Sequence, residues 1–494
     1  MKKKQLVATL CIGTLVAGML AGCGSSGGQT VSGTEATNET ASSAVTDAIF
    51  NGELEENVTI SVLDYESAIS TGYFQELIDA FNEKYAEYGI TAVDANAAEE
   101  LDLENDGPYG YGPDVIYQAN DQIMKYAQGK HIYPIPVEQL DCYSQVPETA
   151  WEVYQAEIDG EEFQCGVPVN IQGSMLFYRK DQLPENWEEE WDDNGNKIPD
   201  MVETWSGMYE YSKYVNEQDS SKYGYMKGQY ETYFLSGFLF SYGGYVFGAK
   251  GTDASDIGFA AGEAVKGANV LKQLASTMNV ECLDYSIGSS IYDKLADGTY
   301  FASICAPDTY ALFIEKMVEQ YESQGMTAEE AQAAAEENLV MTTLPLLPAS
   351  GDLTNTEDGF VDTKCMGGMN GYAISAYTES PNACLAFVDF ATSYEMELLR
   401  AEKMGIAPVR ADAAADAGTT SSILFNNMNA GNIVMMPSID AVSQIWTPCE
   451  TFFIDLGTDA FRPEGEQKYL TTEDMKTRLE ELSQEIYDAI HTLE

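Results

Sequence analysis

The chain has 494 residues, 45% of them hydrophobic, and a formal net charge of −55. That length allows two or three lobes with large cores, and the charge argues against nucleic acid, an anionic lipid surface or a strongly acidic ligand, since each needs basic patches. With only His131 and His491, zinc sites and His-based triads have little to build on.

Lys2-Lys3-Lys4, an apolar run from Leu6 to Leu20 and the closing Leu20-Ala21-Gly22-Cys23 have the layout of a secretory signal. The run is too short for a comfortable membrane-spanning helix. Its ending resembles a bacterial lipoprotein signal. Residues 1–22 are therefore expected to be removed and Cys23 acylated, holding the chain at the extracytoplasmic face of the cell membrane. An ordinary cleaved signal with a chance cysteine is the competing reading. Residues 23–55 read as a flexible tether, rich in Gly, Ser, Thr and Glu to about Ser43. Apart from Cys11 and Cys23, seven widely scattered cysteines remain with no C-x-x-C pair. They suit small buried apolar residues better than a disulfide framework.

Val58 to Leu63 is a β-branched run of strand length. Phe74, Leu77, Ile78, Phe81 and Tyr85 then line one face of a helix, and Ile90 to Val93 forms a second strand. Strand, helix, strand at this spacing is a βαβ unit and implies a parallel sheet. Asp114 to Tyr117 is the next strand, after the turn-rich Gly107 to Pro113, and the alternation recurs through Ser174 to Tyr178, Gly207 to Val215 and Gly371 to Thr392. Asp192, Asn194, Asn196, Asp200 and Glu203 stand at positions 1, 3, 5, 9 and 12 of a twelve-residue loop, with the Ile198 carbonyl at position 7. That is the spacing Ca²⁺ requires, and the loop resembles the EF-hand-like calcium loops of bacterial surface proteins. Lys197 replaces the usual Gly at position 6 and two Asn lower the ligand charge, so a weakly held structural Ca²⁺ in an insertion at 185–204 is expected. A polar turn between helices is the competing reading. Thr327-Ala328-Glu329-Glu330 is a capping box opening an Ala- and Glu-rich helix. Thr471 or Thr472 caps a last helix whose Met475, Leu479, Leu482, Ile486 and Ile490 make one stripe.

Several stretches resemble bacterial extracellular sugar-binding proteins in order along the chain. They are Gly112-Pro113-Asp114-Val115-Ile116-Tyr117 with Asn120-Asp121, Gly166-Val167-Pro168, Leu176 to Asp181, Thr204-Trp205, Glu231-Thr232-Tyr233-Phe234 with Gly243-Gly244-Tyr245, and Gly367-Gly368 before Tyr372. Met436-Pro437 followed by Ile445-Trp446 draws the likeness towards maltose and maltodextrin binders. The resemblance covers roughly residues 56–490. It implies an α/β, two-lobed periplasmic-binding-protein-like fold of type II. The N-terminal lobe would comprise 56–170 and 343–398, the C-terminal lobe 171–342 and 399–494, with crossings near 168–172, 340–345 and 396–402. It further implies a monomeric receptor that closes by hinge motion on an oligosaccharide and delivers it to the permease subunits of an ABC transporter, without chemistry of its own.

A sugar offers apolar ring faces and many hydroxyls, so its site needs aromatic platforms and planar acceptors. The likeness places Asp121, Glu231, Tyr233 and Trp446 in the cleft, with Phe234 as a further platform. Asp64, Tyr65 and Glu66 follow the first strand, where a sheet's carboxyl edge opens. Core packing competes for each aromatic and a solvated surface role for each carboxylate. The sequence departs from the maltodextrin pattern at Gln118 and Gln122, which replace a Trp and an Arg, and at Gln172, which replaces a carboxylate. It departs again at Ala306-Pro307-Asp308, where a Trp is expected and Tyr310 stands close by. These changes leave the sugar open. Outside this class stand a surface glycosidase using two carboxylates and a non-transport sensor or adhesin on the same scaffold.

Overall fold

The computed structural model describes residues 45–96, 103–463 and 465–492; the signal segment and Cys23 lie outside them. The first strand, β1 (Thr59–Leu63), pairs in parallel with β2 (Thr91–Asp94) through a crossover helix, α1 (Tyr73–Lys84), which buries Tyr73, Phe74, Leu77, Ile78 and Phe81. β3 (Val115–Ala119) joins the other side of β1, also parallel, and runs directly into α2 (Asn120–Gln128). β4 (Val167–Gln172) leads through Gly173-Ser174 into β5 (Met175–Arg179), which belongs to a different sheet.

The second sheet is built around β5, with α3 (Trp205–Gln218), β6 (Tyr223–Met226), α4 (Thr232–Phe240), α5 (Ala264–Ala275), α6 (Ile287–Ala296), β7 (Tyr300–Cys305), α7 (Tyr310–Ser323), α8 (Ala328–Asn338) and β8 (Leu339–Thr342). Its strand order is β8-β5-β7-β6. Thr204 caps α3 by accepting from the Gly207 N–H at 2.9 Å, and the capping box at Thr327 and Glu330 forms on α8.

The chain returns to the first sheet in β9 (Cys365–Ile374), every residue of which is buried. α9 (Pro381–Ala391) and α10 (Tyr394–Met404) follow, then β10 (Ala407–Pro408), α11 (Thr419–Asn429) and β11 (Ile433–Met435). The first sheet has the order β10-β4-β9-β3-β1-β2, with β11 also on β9. The β1–β2 and β1–β3 pairs are parallel as the βαβ unit implies, but β9 is antiparallel to both β3 and β4, so the sheet is mixed. The reason is direction of entry: β3 and β4 run towards the second lobe, whereas β9 comes from it. Gly367 lets β9 lie against β4, since a Cβ there would meet the Gln172 carbonyl at 2.4 Å and Ile433 at 2.3 Å.

Two expected crossings are displaced. Residues 343–361 stay with the second lobe: the Leu346 carbonyl accepts from Trp205 N–H at 2.9 Å, and Leu347–Pro348 pairs with Phe360–Val361. The last crossing falls after β11 instead of at 396–402, because α10 packs on α1 and both β10 and β11 are strands of the first sheet. Only then do α12 (Trp446–Asp459) and α13 (Thr472–Thr492) dock on α5. The expected tether does not reach residue 55. Phe50 is buried edge-on to Tyr133, and the Glu55 carboxylate accepts from the N–H groups of Asn382 and Ala383. The seven cysteines of the described residues are free and buried.

Candidate functional site

The carboxyl ends of β1, β3 and β4 present Asp64, Tyr65, Gln118, Asp121 and Gln172 on one side of the crossings. Asp64 does not face outward as expected. Its carboxylate is fully buried, paired with Arg400 at 2.5 Å and receiving the Tyr372 hydroxyl at 3.2 Å. The guanidinium lies over the rings of Tyr117 (3.8 Å), Tyr73 (4.7 Å) and Tyr372 (5.9 Å). Burial alone would lower the Arg400 pKa; Asp64 and the three tyrosines more than reverse it, so the cation persists. Asp64 is thus a core residue that holds α10 to β1.

Its neighbours are better placed. The Tyr65 hydroxyl donates to Gln118 Oε1 at 3.4 Å, and the Tyr65 ring stands edge-on to Tyr117 at 5.2 Å. Asp121 sits in the first turn of α2, where its charge suits the helix N-terminus, and burial raises its pKa. Beside it Asn120 donates to the Ser438 hydroxyl (2.7 Å) and the Met436 carbonyl (3.3 Å), tying α2 to the last crossing segment. Gln172 is half-buried and ends β4, beside Gly368. Glu66 is exposed and opens a short helix.

On the second lobe, Glu231, Tyr233 and Phe234 cluster at the start of α4. Glu231 Oε2 pairs with Lys227 at 2.6 Å, and Oε1 accepts from the Gly228 N–H at 3.2 Å. Lys227 Nζ lies 3.6 Å from the Phe234 ring centre, and Tyr233 stands edge-on to Phe234 at 5.3 Å. Burial pushes the Tyr233 phenol up, with Asp308 adding to the shift. Tyr310 is half-buried at the start of α7, where Glu336 of α8 is the charged group acting on it. Trp446 is half-buried as the first residue of α12. One turn on, Glu450 accepts from the Tyr285 hydroxyl, and Tyr285 stacks on Tyr230 at 4.6 Å, next to Glu231. Sequence reasoning missed Lys227, Tyr230, Tyr285 and Glu450. A lysine closing the apolar strand β6 was the available signal for the first; the pairing of Tyr285 with a residue 165 positions away left none.

A separate groove of about 1180 Å³ lies between the lobes, with Met124, Glu152, Phe247, Lys250 and Pro437 among its walls; none of the expected sugar contacts lines it.

The loop 192–203 is held together by hydrogen bonds among its own side chains and backbone. Lys197 takes φ +66° and its N–H donates to Asp192 Oδ2 at 3.0 Å. The side-chain amides of Asn194 and Asn196 converge on Glu203, at 2.8 and 2.6 Å. Asp192 Oδ1 is buried without a hydrogen-bond partner. Burial raises the Asp200 pKa, with Asp193, Glu203 and Asp192 adding repulsion. Among the described residues no three His, Cys, Asp or Glu side chains could hold a metal by themselves. A Ca²⁺ here would need the amide oxygens of Asn194 and Asn196, which accept from the Asn196 and Ile198 N–H groups at 3.0 and 2.8 Å, to turn towards it.

Residues 76–427 match the profile of the bacterial extracellular solute-binding protein family. The galactooligosaccharide-binding protein of Bacillus subtilis is 24% identical over 410 residues, covering 81% of this chain and 85% of that protein. The maltodextrin-binding protein MdxE of the same organism is 22% identical, covering 77% and 82%. Among solved structures, the maltose complex of MalE from Listeria monocytogenes aligns with a TM-score of 0.65 at 20% identity, over 88% of this chain and 98% of that one. MalX from Streptococcus pneumoniae with maltopentaose gives 0.61 at 21%, over 85% and 99%. The fold is the two-lobed type II architecture of these proteins, and the chain is a member of the bacterial extracellular solute-binding protein family.

Proposed function

We propose that the chain is a lipid-anchored receptor that takes an oligosaccharide between its lobes and releases it uncut to an ABC importer. The observation that carries this reading is the wall around Glu231, where aromatic rings and a fixed carboxylate stand side by side, the combination a sugar's apolar face and hydroxyls call for. Gln118, Asp121 and Gln172 are the hydrogen-bonding groups this reading expects from the first lobe. Relatives 22% identical in Streptococcus pneumoniae are named maltooligosaccharide ABC transporter solute-binding lipoproteins, which supports both the ligand class and the transport partner. A galactooligosaccharide is the second reading, favoured by the Bacillus subtilis relative of that name and by the departures at Gln118 and Gln122.

Calorimetry of the mature chain against maltose, maltotriose, longer maltodextrins and galactooligosaccharides decides between them. Binding of one series is expected, with the ligand recovered intact by chromatography. Recovery of shortened sugar would end the receptor reading. Radiolabelled palmitate should enter the wild-type chain and not Cys23→Ala. The loop at Asp192, Asn194, Asn196, Ile198, Asp200 and Glu203 binds one structural Ca²⁺ in this reading. It borders the second crossing, since Lys197, Ile198 and Glu203 share a cavity with Thr342, Thr343 and Asp362.

A further inference from the structure

A lysine at the end of β6 is an expensive way to close an apolar strand. Its side chain is 2% exposed, beside Glu231 at 18%, and burying an ammonium costs several kcal/mol unless it is paired. An aliphatic residue would fill the same volume without that cost. Lys227 does three things there: it pairs with Glu231 Oε2 at 2.6 Å, it sits 3.6 Å from the Phe234 ring centre, and it precedes Gly228, whose N–H holds Glu231 Oε1 at 3.2 Å. Both carboxylate oxygens are therefore gripped from behind, one by a cation and one by the backbone. The other titratable groups facing the pair are Tyr225 on β6, Tyr230, Tyr292 on α6 and Cys305 on β7, all of them acids. Asp308 adds a further acid facing Tyr292 and Tyr233. Lys227 supplies the positive charge at this wall.

We infer that Lys227 is a positioning residue of the ligand cleft. It keeps the Glu231 carboxylate aimed, so that the remaining lone pairs accept hydroxyls from the ligand, and it holds the Phe234 ring by cation–π attraction. This rests on the sugar reading of the cleft and deepens it. A carboxylate fixed this way accepts and never donates, and the ion pair is neutral as a unit within a strongly acidic chain. The cleft therefore takes neutral, hydroxyl-donating glycans and turns away uronic or phosphorylated ones.

A double-mutant cycle on sugar affinity tests the role, using wild type, Lys227→Met, Glu231→Gln and the double variant. The ligand is the tightest-binding neutral oligosaccharide of the calorimetric series. Each single change should weaken binding about tenfold, the range for losing a charged hydrogen bond. The double variant should bind no worse than the weaker single one, because both act through one group, and Lys227→Arg should recover most of the affinity. If Lys227→Met does not fold, Lys227→Gln, which keeps a donor and loses the charge, takes its place. Wild-type affinity in the uncharged variant, or single losses that multiply in the double, overturns the role of Lys227. A wild-type chain that binds no oligosaccharide overturns the sugar reading instead.

Discussion

Glu397 on α10 is the buried carboxyl with the sharpest consequence for stability. It is 2% exposed, and burial pushes its pKa from 4.5 up to about 8, with Arg400 and Arg410 opposing the shift and Asp412 adding to it. Both arginines are already committed, Arg400 to Asp64 and Arg410 to Asp412 and Asp141. Tyr73 and Cys142 also face Glu397. The sign follows from proton counting. Below pH 4.5 the folded and unfolded chains both carry the proton. Between 4.5 and about 8 the unfolded chain ionises while the folded one does not, so stability drains as pH rises; above 8 the loss is complete. The gap from 4.5 to about 8 caps the loss at about 5 kcal/mol. Local relaxation and water entry reduce it, and about 2–3 kcal/mol is the working figure. Glu397→Gln keeps the shape and removes the titration. Urea unfolding at pH 5, 6.5 and 8 should give nearly equal stabilities at the lowest pH and a Gln variant ahead by that amount at the highest. Parallel curves across the range would refute the account.

Four further outcomes are expected. Arg400→Met should cost about 3–5 kcal/mol of folding stability by leaving the Asp64 carboxyl unpaired in the core, and adding Asp64→Asn should return part of it, read by denaturant titration. Trp446→Ala should weaken sugar binding by about 1–3 kcal/mol, the range for a lost aromatic contact; unchanged affinity removes Trp446 from the cleft. Adding Ca²⁺ to chelator-treated protein should raise Tm, and Asp192→Ala should abolish the rise while leaving the chelated Tm near that of the wild type. Gly237→Ala should destabilise by about 1–3 kcal/mol, because the new Cβ would lie 2.2 Å from the Lys364 carbonyl at the entry to β9.

What the sequence disclosed was local. The periodicity of Phe74 to Phe81 and the Thr327 capping box depend on residues within a few turns of one another, and both stand in the structure as read. The pairing of Asp64 with Arg400 joins residues 336 positions apart, so Asp64 looked like a cleft carboxylate when it is a core anchor. The last crossing was misplaced for a related reason. β10 and β11 have two and three residues, too few to show strand periodicity, and their membership of the first sheet appears only when β4 and β9 are in place. Tyr285 and Glu450 belong to the same class of long-range pairing.

These placements leave the two faces of the cleft chemically unlike. On the sugar reading, with Asp64 withdrawn into the core, the first lobe contributes Gln118, Gln172 and Asp121. An amide both donates and accepts; that of Gln118 is buried with its oxygen taken by the Tyr65 hydroxyl, and Gln172 is half-buried. The second lobe offers rings at Tyr233 and Phe234 and a carboxylate that Lys227 and Gly228 prevent from turning. A fixed acceptor beside a fixed platform specifies the position of a hydroxyl relative to a sugar face. On the sugar reading, discrimination between glucose and galactose units therefore falls to the second lobe.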